Sequence, residues 1–163
     1  MKHPQIIQQK IFDIPALQHQ LRRWRLLSKR IAFTNGCFDI LHEGHIASLS
    51  DAAREADYLI VGLNSDGSTC RLKGPHRPIN SQQARATVLA SLLMVDAVVI
   101  FEEDTPLELI KTVQPDVLVK GGDYALDQIV GAKEVMAAGG RVVINPIVPG
   151  VSTTGLIKKI GEL

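Results

Sequence analysis

Apolar positions along this chain keep changing rhythm, and the changes sort it into elements. In residues 1–28, Leu17, Leu21, Trp24 and Leu27 recur at helical spacing, with Arg22, Arg23 and Arg25 mostly on the other side. Ile31-Ala32-Phe33 is a short β-prone run that ends in Thr34-Asn35-Gly36. After a tight connection, Cys37 to Leu41, helical spacing returns with Ile46, Leu49, Ala52 and Ala53. Tyr58 to Leu63 is almost continuously apolar, as a strand buried on both faces should be. A polar loop with Arg71, Lys73, Arg77 and Pro78 follows, and Ser81 is an N-cap for a helix through Leu93. Ala97 to Phe101 is a third strand, and Thr105 with Pro106 opens another helix. Val117 to Val119 is a fourth strand and Val142 to Ile144 a fifth, with a helix around Val130–Ala138 between them that stops at Gly139-Gly140. Ser152-Thr153-Thr154 caps a last helix, Gly155 to Ile160.

Strands that alternate with helices imply right-handed crossovers and a parallel sheet. The expected fold is α/β: a three-layer, Rossmann-like, doubly wound sheet of five parallel strands. Residues 1–29 read as an N-terminal helical extension and residues 30–163 as the domain itself. Such sheets bind ligands beyond the carboxyl ends of their strands. Here those ends are polar or glycine-bearing: Thr34-Asn35-Gly36, Asn64-Ser65-Asp66 and Lys120-Gly121-Gly122-Asp123. The first of them, followed by Cys37, Phe38, Asp39 and the helix start His42-Glu43-Gly44-His45, makes a seat for phosphate. Gly36 lets the backbone come close, and the free N–H groups of the helix start face an anion.

Composition narrows the setting. The 163 residues carry 18 Lys and Arg against 17 Asp and Glu, a formal net charge of +1, so nothing marks a nucleic-acid surface or a polybasic membrane patch. The longest apolar stretch, Leu92 to Phe101, is broken by Asp96 and too short to span a bilayer. The N-terminus lacks an apolar signal core, and two cysteines give no disulfide framework. Reducing cytoplasm is the expected location.

Several chemistries fit poorly. No Gly-x-Gly-x-x-Gly follows Gly36 and no acid ends the second strand, so dinucleotide binding is disfavoured; no Walker phosphate loop is present. Cys37, His42 and His45 lie close enough to suggest zinc, but no second cysteine pair or carboxylate–histidine pair completes the set.

Asn35-Gly36-Cys37-Phe38-Asp39 followed by His42-Glu43-Gly44-His45 resembles the HxGH signature of the nucleotidylyltransferase superfamily. Ser152-Thr153-Thr154 before the last helix is similar to that superfamily's second signature. Leu118 to Tyr124, together with Arg71 to Gly74 and Arg77-Pro78-Ile79, resembles one subgroup, the D-glycero-β-D-manno-heptose 1-phosphate adenylyltransferases, in their stand-alone form. The likeness runs from about Arg30 to the C-terminus. It implies transfer of an adenylyl group from ATP to heptose 1-phosphate, giving ADP-heptose for the lipopolysaccharide inner core, with Mg²⁺ as cofactor and a homodimer or higher homo-oligomer as the assembly. The enzymatic alternative is a cytidylyltransferase acting on glycerol 3-phosphate or a related alcohol phosphate. A catalytically silent nucleotide-binding domain is the rival from another class, and a flavodoxin-like redox protein a third reading.

The resemblance also assigns roles. His42, His45 and Lys73 are the catalytic candidates, with Lys73 holding the incoming sugar phosphate and Arg77 or Arg71 helping. Asn35, Gly36, Cys37, Phe38, Gly44, Lys120, Gly121, Gly122, Asp123, Ser152, Thr153 and Thr154 complete the nucleotide site. Asp39, Asn64, Asp66 and Arg85 join the substrate side. Asp39 either fixes its turn or helps hold Mg²⁺, and Arg85 either faces the site or forms a surface ion pair. Pro149 departs from the family pattern, standing where related cytidylyltransferases carry a basic residue, so Lys158 is an alternative cation for the triphosphate.

Overall fold

The computed structural model describes residues 3–122, 124–146 and 152–162. The chain begins α1 (Ile6–Gln9), β1 (Ile11–Phe12), α2 (Ile14–Leu26), β2 (Ile31–Gly36), α3 (Glu43–Ala53), β3 (Tyr58–Asn64), α4 (Asp66–Lys73) and α5 (Gln82–Ala90). It continues through β4 (Ala97–Phe101), α6 (Leu107–Val113), β5 (Val117–Gly121), α7 (Ala132–Ala137), β6 (Arg141–Asn145) and α8 (Thr153–Gly161). All neighbouring strands pair in parallel, in the order β1-β4-β3-β2-β5-β6. The α/β, doubly wound reading holds, but the sheet has six strands rather than five. The sixth, β1, comes from the segment read as a helical extension: Ile11 and Phe12 pair with Val98 and Val99 at the edge. Two residues are too few to show a period of two, which is why pattern alone passed over them.

Strand side chains alternate between two cores. Ile31, Phe33, Ile60, Val99 and Leu118 point to the face covered by α2, α6 and α7. Ala32, Leu59, Val61, Val98 and Val119 point to the face covered by α3 and α5. Leu17, Leu21 and Trp24 of α2 are buried as the helical spacing requires, and Trp24 stacks on Tyr58 with ring centroids 4.3 Å apart. Leu27 falls just past the helix and is 68% exposed, because the chain turns there into Ser28 at φ 54°. The Arg25 guanidinium donates to the carbonyls of Val113 and Gln114 and closes the C-terminal end of α6.

Three other local expectations shift. The polar stretch after β3 is helical through Lys73, as α4, because Ser65 accepts a hydrogen bond from Ser68 N at 3.0 Å and caps it. Ser81 does cap α5, which ends at Ala90 rather than Leu93. Pro106 occupies the N-cap of α6, one position before its first helical residue.

An aspartate stands immediately before each of three strands. Asp57, Asp96 and Asp116 accept from the backbone N–H groups of Arg30, Leu59 and Ile31 respectively, each at 2.8 Å. These contacts pin strand register at the amino end of the sheet and leave the opposite end free for ligand. At that end the strand order reverses between β2 and β5, because α3 and α5 cross on one face and α6 on the other.

Candidate active site

Beyond the carboxyl ends of β2 and β5 lies a cleft of about 620 Å³, joined by a smaller lobe of about 350 Å³. The two lobes share a floor that includes Asn35, Gly36, His42, His45, Lys73 and Lys120. Cys37 and Phe38 belong to the same floor.

The floor is built from β2 outward. Gly36 ends the strand, and a Cβ there would meet the Phe38 ring at 3.0 Å, so the backbone lies closer to that ring than a side chain allows. Phe38 takes a left-handed conformation, φ 45°, and sits beside His45 with ring centroids 5.4 Å apart. Helix α3 then starts with His42 at its N-cap, and the His42 and His45 rings lie 3.9 Å apart. The His42 backbone N–H donates to His45 Nδ1 at 3.4 Å. An accepting Nδ1 leaves the proton on Nε2, so the neutral His45 ring is a donor. His42 Nδ1 is buried and has no hydrogen-bond partner among the described residues.

Burial, reinforced by the neighbouring His42, depresses the His45 pKa from its ordinary 6.5 to about 4. The ring is therefore neutral at physiological pH and donates without first losing a proton. Below pH 6.5 the unfolded chain binds a proton that the folded protein refuses until pH nears 4. The neutral ring thus contributes stability above that window and loses it as pH falls through the window. The melting temperature of the parent should decline between pH 6.5 and 4 more steeply than that of a His45→Gln variant. Equal slopes in thermal scans would contradict a buried neutral imidazole.

Two lysines complete the floor. Lys120 Nζ donates to Asn35 Oδ1 at 3.2 Å, and burial, with Lys73 as a like-charged neighbour, holds its ammonium below the usual lysine range. Lys73 is the last residue of α4 and faces the same space. Two ammonium groups, an N–H-rich helix start and a donor imidazole form a surface for a polyphosphate.

The rim loops are held together by two charged residues. Asp39 is 4% exposed and accepts from Arg77 Nε at 2.6 Å, Ile79 N at 2.8 Å and Asn80 N at 3.0 Å. Burial alone would raise its pKa, but the Asn80 and Ile79 amides and the Arg77 guanidinium overcome that and hold it low. With those donors in place Asp39 fixes its turn; it does not present a free carboxylate to a metal. Arg85 departs from both expected roles. It is 2% exposed, lines neither lobe, and donates to the carbonyls of Cys37, Asn64 and Asn80 and to Asp66 Oδ1. Its guanidinium ties the loop after β2 and the loop before α5 to the end of β3, and Asp66 pairs with it and does not line the cleft.

The remaining candidates divide. Asn64, Arg77, Ser152, Thr153 and Thr154 line the larger lobe, and Gly44 and Gly121 the smaller one. Thr153 Oγ1 donates to Ile40 O at 3.1 Å, which brings the start of α8 over the loop after β2. Gly122, at φ 132°, donates to Asn145 O and lines neither lobe. Lys158 is exposed and also lies off the cleft, and Arg71 is paired with Asp104 Oδ1 at 2.6 Å. Asp123 and Pro149 lie outside the described residues. Sequence reasoning missed Tyr124, which lines both lobes, and Asp104, which lines the larger one. Tyr124 closes the Leu118–Tyr124 stretch but carries no polar signature of its own there, and Asp104 stands in no motif, so no local signal gave either a role.

Among solved structures, the chain resembles a lipopolysaccharide core biosynthesis protein from Thermoplasma volcanium, at a TM-score of 0.58 and 27% identity over 74% of this chain and 97% of that one. It shares its fold, at 18% identity and a TM-score of 0.61, with a pantoate–β-alanine ligase from Francisella tularensis, covering 94% of this chain and 78% of that one. Among curated proteins it is 55% identical over 93% of its length to the bifunctional protein HldE of Paramagnetospirillum magneticum. It is 58% identical over 89% of its length to that of Nitrobacter hamburgensis. The chain spans only 31% and 30% of the length of these two relatives. A family model for cytidylyltransferase-like proteins matches residues 33–159, from the first residues of β2 into α8, and the chain therefore belongs to the cytidylyltransferase-like family of nucleotidyltransferases.

Proposed function

We propose that the protein transfers an adenylyl group from ATP to D-glycero-β-D-manno-heptose 1-phosphate, giving ADP-heptose and pyrophosphate. The observation that carries this reading is the single floor on which His42, His45, Lys73 and Lys120 converge beside the glycine-bearing end of β2. Identity above one half to bifunctional HldE proteins supports the sugar, as does the likeness to a lipopolysaccharide core biosynthesis protein.

The chemistry suits these residues. An oxygen of the sugar phosphate attacks the α-phosphorus of the nucleotide, a new P–O bond forms, and the bond to the β-phosphate breaks with its electron pair leaving on pyrophosphate. The nucleophile is already anionic, so no general base is needed. Catalysis rests on alignment and on donors aimed at the phosphate oxygens as charge shifts toward pyrophosphate. His45 Nε2–H and the Lys120 ammonium serve the transferred and leaving phosphates, and the N-cap of α8 with Ser152 and Thr153 serves the far end of the triphosphate. Lys73 and Arg77 hold the incoming sugar phosphate. Mg²⁺ belongs with the triphosphate in this reading, since Asp39 has its oxygens occupied by Arg77, Ile79 and Asn80. Bound there it would neutralise phosphate charge.

Pyrophosphate release from pure protein with heptose 1-phosphate, Mg²⁺ and each nucleoside triphosphate in turn tests the assignment. Release with ATP is expected. Release with CTP and none with ATP would replace adenylyl by cytidylyl transfer, and no release with any nucleotide would favour a silent binding domain.

A further inference from the structure

Among the described residues, the two lobes of the cleft differ in charge. The described residues lining the smaller lobe include Lys73 and Lys120 but no Asp or Glu. Among the described residues, two carboxylates line the larger lobe, Asp39 and Asp104. Asp39 is already occupied by Arg77 and two backbone amides. Asp104 is different. Its Oδ1 accepts from Arg71 Nε at 2.6 Å, and Arg71 is itself anchored to the carbonyl of Glu102 at 2.6 Å. Its other oxygen, Oδ2, makes no hydrogen bond with a described residue. Arg71 therefore holds Asp104 at the half-exposed rim of the larger lobe, which Thr105 and Lys73 also line, with Oδ2 left open as an acceptor.

A carboxylate in this position sorts ligands by chemistry. It accepts strong, charge-assisted hydrogen bonds from hydroxyl groups, which a sugar offers in number. Leu72 and Pro106 add apolar surface nearby, suited to the C–H face of a sugar ring. We infer that Asp104, held in place by Arg71, is the residue that recognises hydroxyl groups of the sugar in the larger lobe. The nucleoside then occupies the smaller lobe, against Gly121 and Ser48, and the phosphates meet over the shared floor. Arg71 is a positioning residue in this arrangement and not a phosphate ligand. The inference rests on the adenylyl-transfer reading above and assigns the sugar's contacts within it.

Steady-state kinetics of Asp104→Ala and Asp104→Asn test it, with heptose 1-phosphate and ATP varied separately. Loss of a charge-assisted hydrogen bond to a hydroxyl should raise KM for the sugar phosphate about ten- to a hundredfold in Asp104→Ala while KM for ATP stays within about twofold. Asp104→Asn keeps an oxygen for Arg71 and removes the charge, so it should show a smaller rise of the same kind. It carries the comparison alone should the alanine variant fail to fold. Inorganic phosphate, which has no sugar hydroxyls, should compete with the sugar phosphate as well in the variants as in the parent. A sugar-phosphate KM unchanged in both variants, or an ATP KM rising in step with it, would overturn the assignment. A parent enzyme that forms no nucleotide sugar would sink the adenylyl-transfer reading itself, which is a separate result.

Discussion

His45→Ala should lower kcat about 10²- to 10³-fold and leave KM for ATP nearly unchanged. The neutral ring offers one Nε2–H donor from a partly buried site, and its Nδ1 is tied to the His42 backbone N–H. A donor fixed in this way is already oriented when charge moves onto the leaving pyrophosphate, so its contribution is larger in the transition state than in the bound substrate. The loss therefore appears in kcat. Single-turnover quench experiments measure it directly. A rate within tenfold of the parent would mean that the imidazole only caps α3, and the lysines would then have to carry the catalytic role.

Arg85→Met should destabilise the fold by about 3–5 kcal/mol, the largest effect expected from a residue that touches no substrate. The side chain is 1% exposed, and its guanidinium is the partner of three carbonyls, from two loops and the end of β3, and of Asp66. Methionine fills much of the volume but leaves the Cys37, Asn64 and Asn80 carbonyls without that donor. Arg85→Lys should recover only part of the loss, because a point charge on a flexible stem cannot span the fork of contacts. Chemical denaturation of both variants gives the comparison; a methionine variant as stable as the parent would contradict it.

Much of this architecture is legible in the amino-acid sequence, for physical reasons. β2, β3 and β4 are buried on both faces, so their apolar runs stand out, and Ser81 and Ser152 mark helix starts by the caps they form. The HxGH element is legible because a strand, a glycine turn and a helix N-terminus must follow one another in sequence to bring backbone N–H groups to one point. What escaped reading depends on partners far along the chain. β1 gains strand geometry only from β4, whose paired residues lie 87 positions further along the chain. Arg85 looks like a surface residue until the fold brings the carbonyls of Cys37 and Asn64 to it, 48 and 21 residues distant. Asp104 belongs to an ordinary acidic loop until Arg71, 33 residues earlier, holds it at the rim of the cleft. Leu27 shows the opposite failure: its spacing is right for the buried face of α2, but the helix stops one residue before it.

The claim on which the rest depends is that a sugar-phosphate oxygen attacks the α-phosphorus over the floor formed by His42, His45, Lys73 and Lys120. Mass spectrometry of products made from ATP and heptose 1-phosphate carrying ¹⁸O in its phosphate oxygens tests it most directly. All of the label should stay in the nucleotide sugar, and the pyrophosphate should be unlabelled. Label in the pyrophosphate, or ADP and orthophosphate in place of a nucleotide sugar, would contradict it.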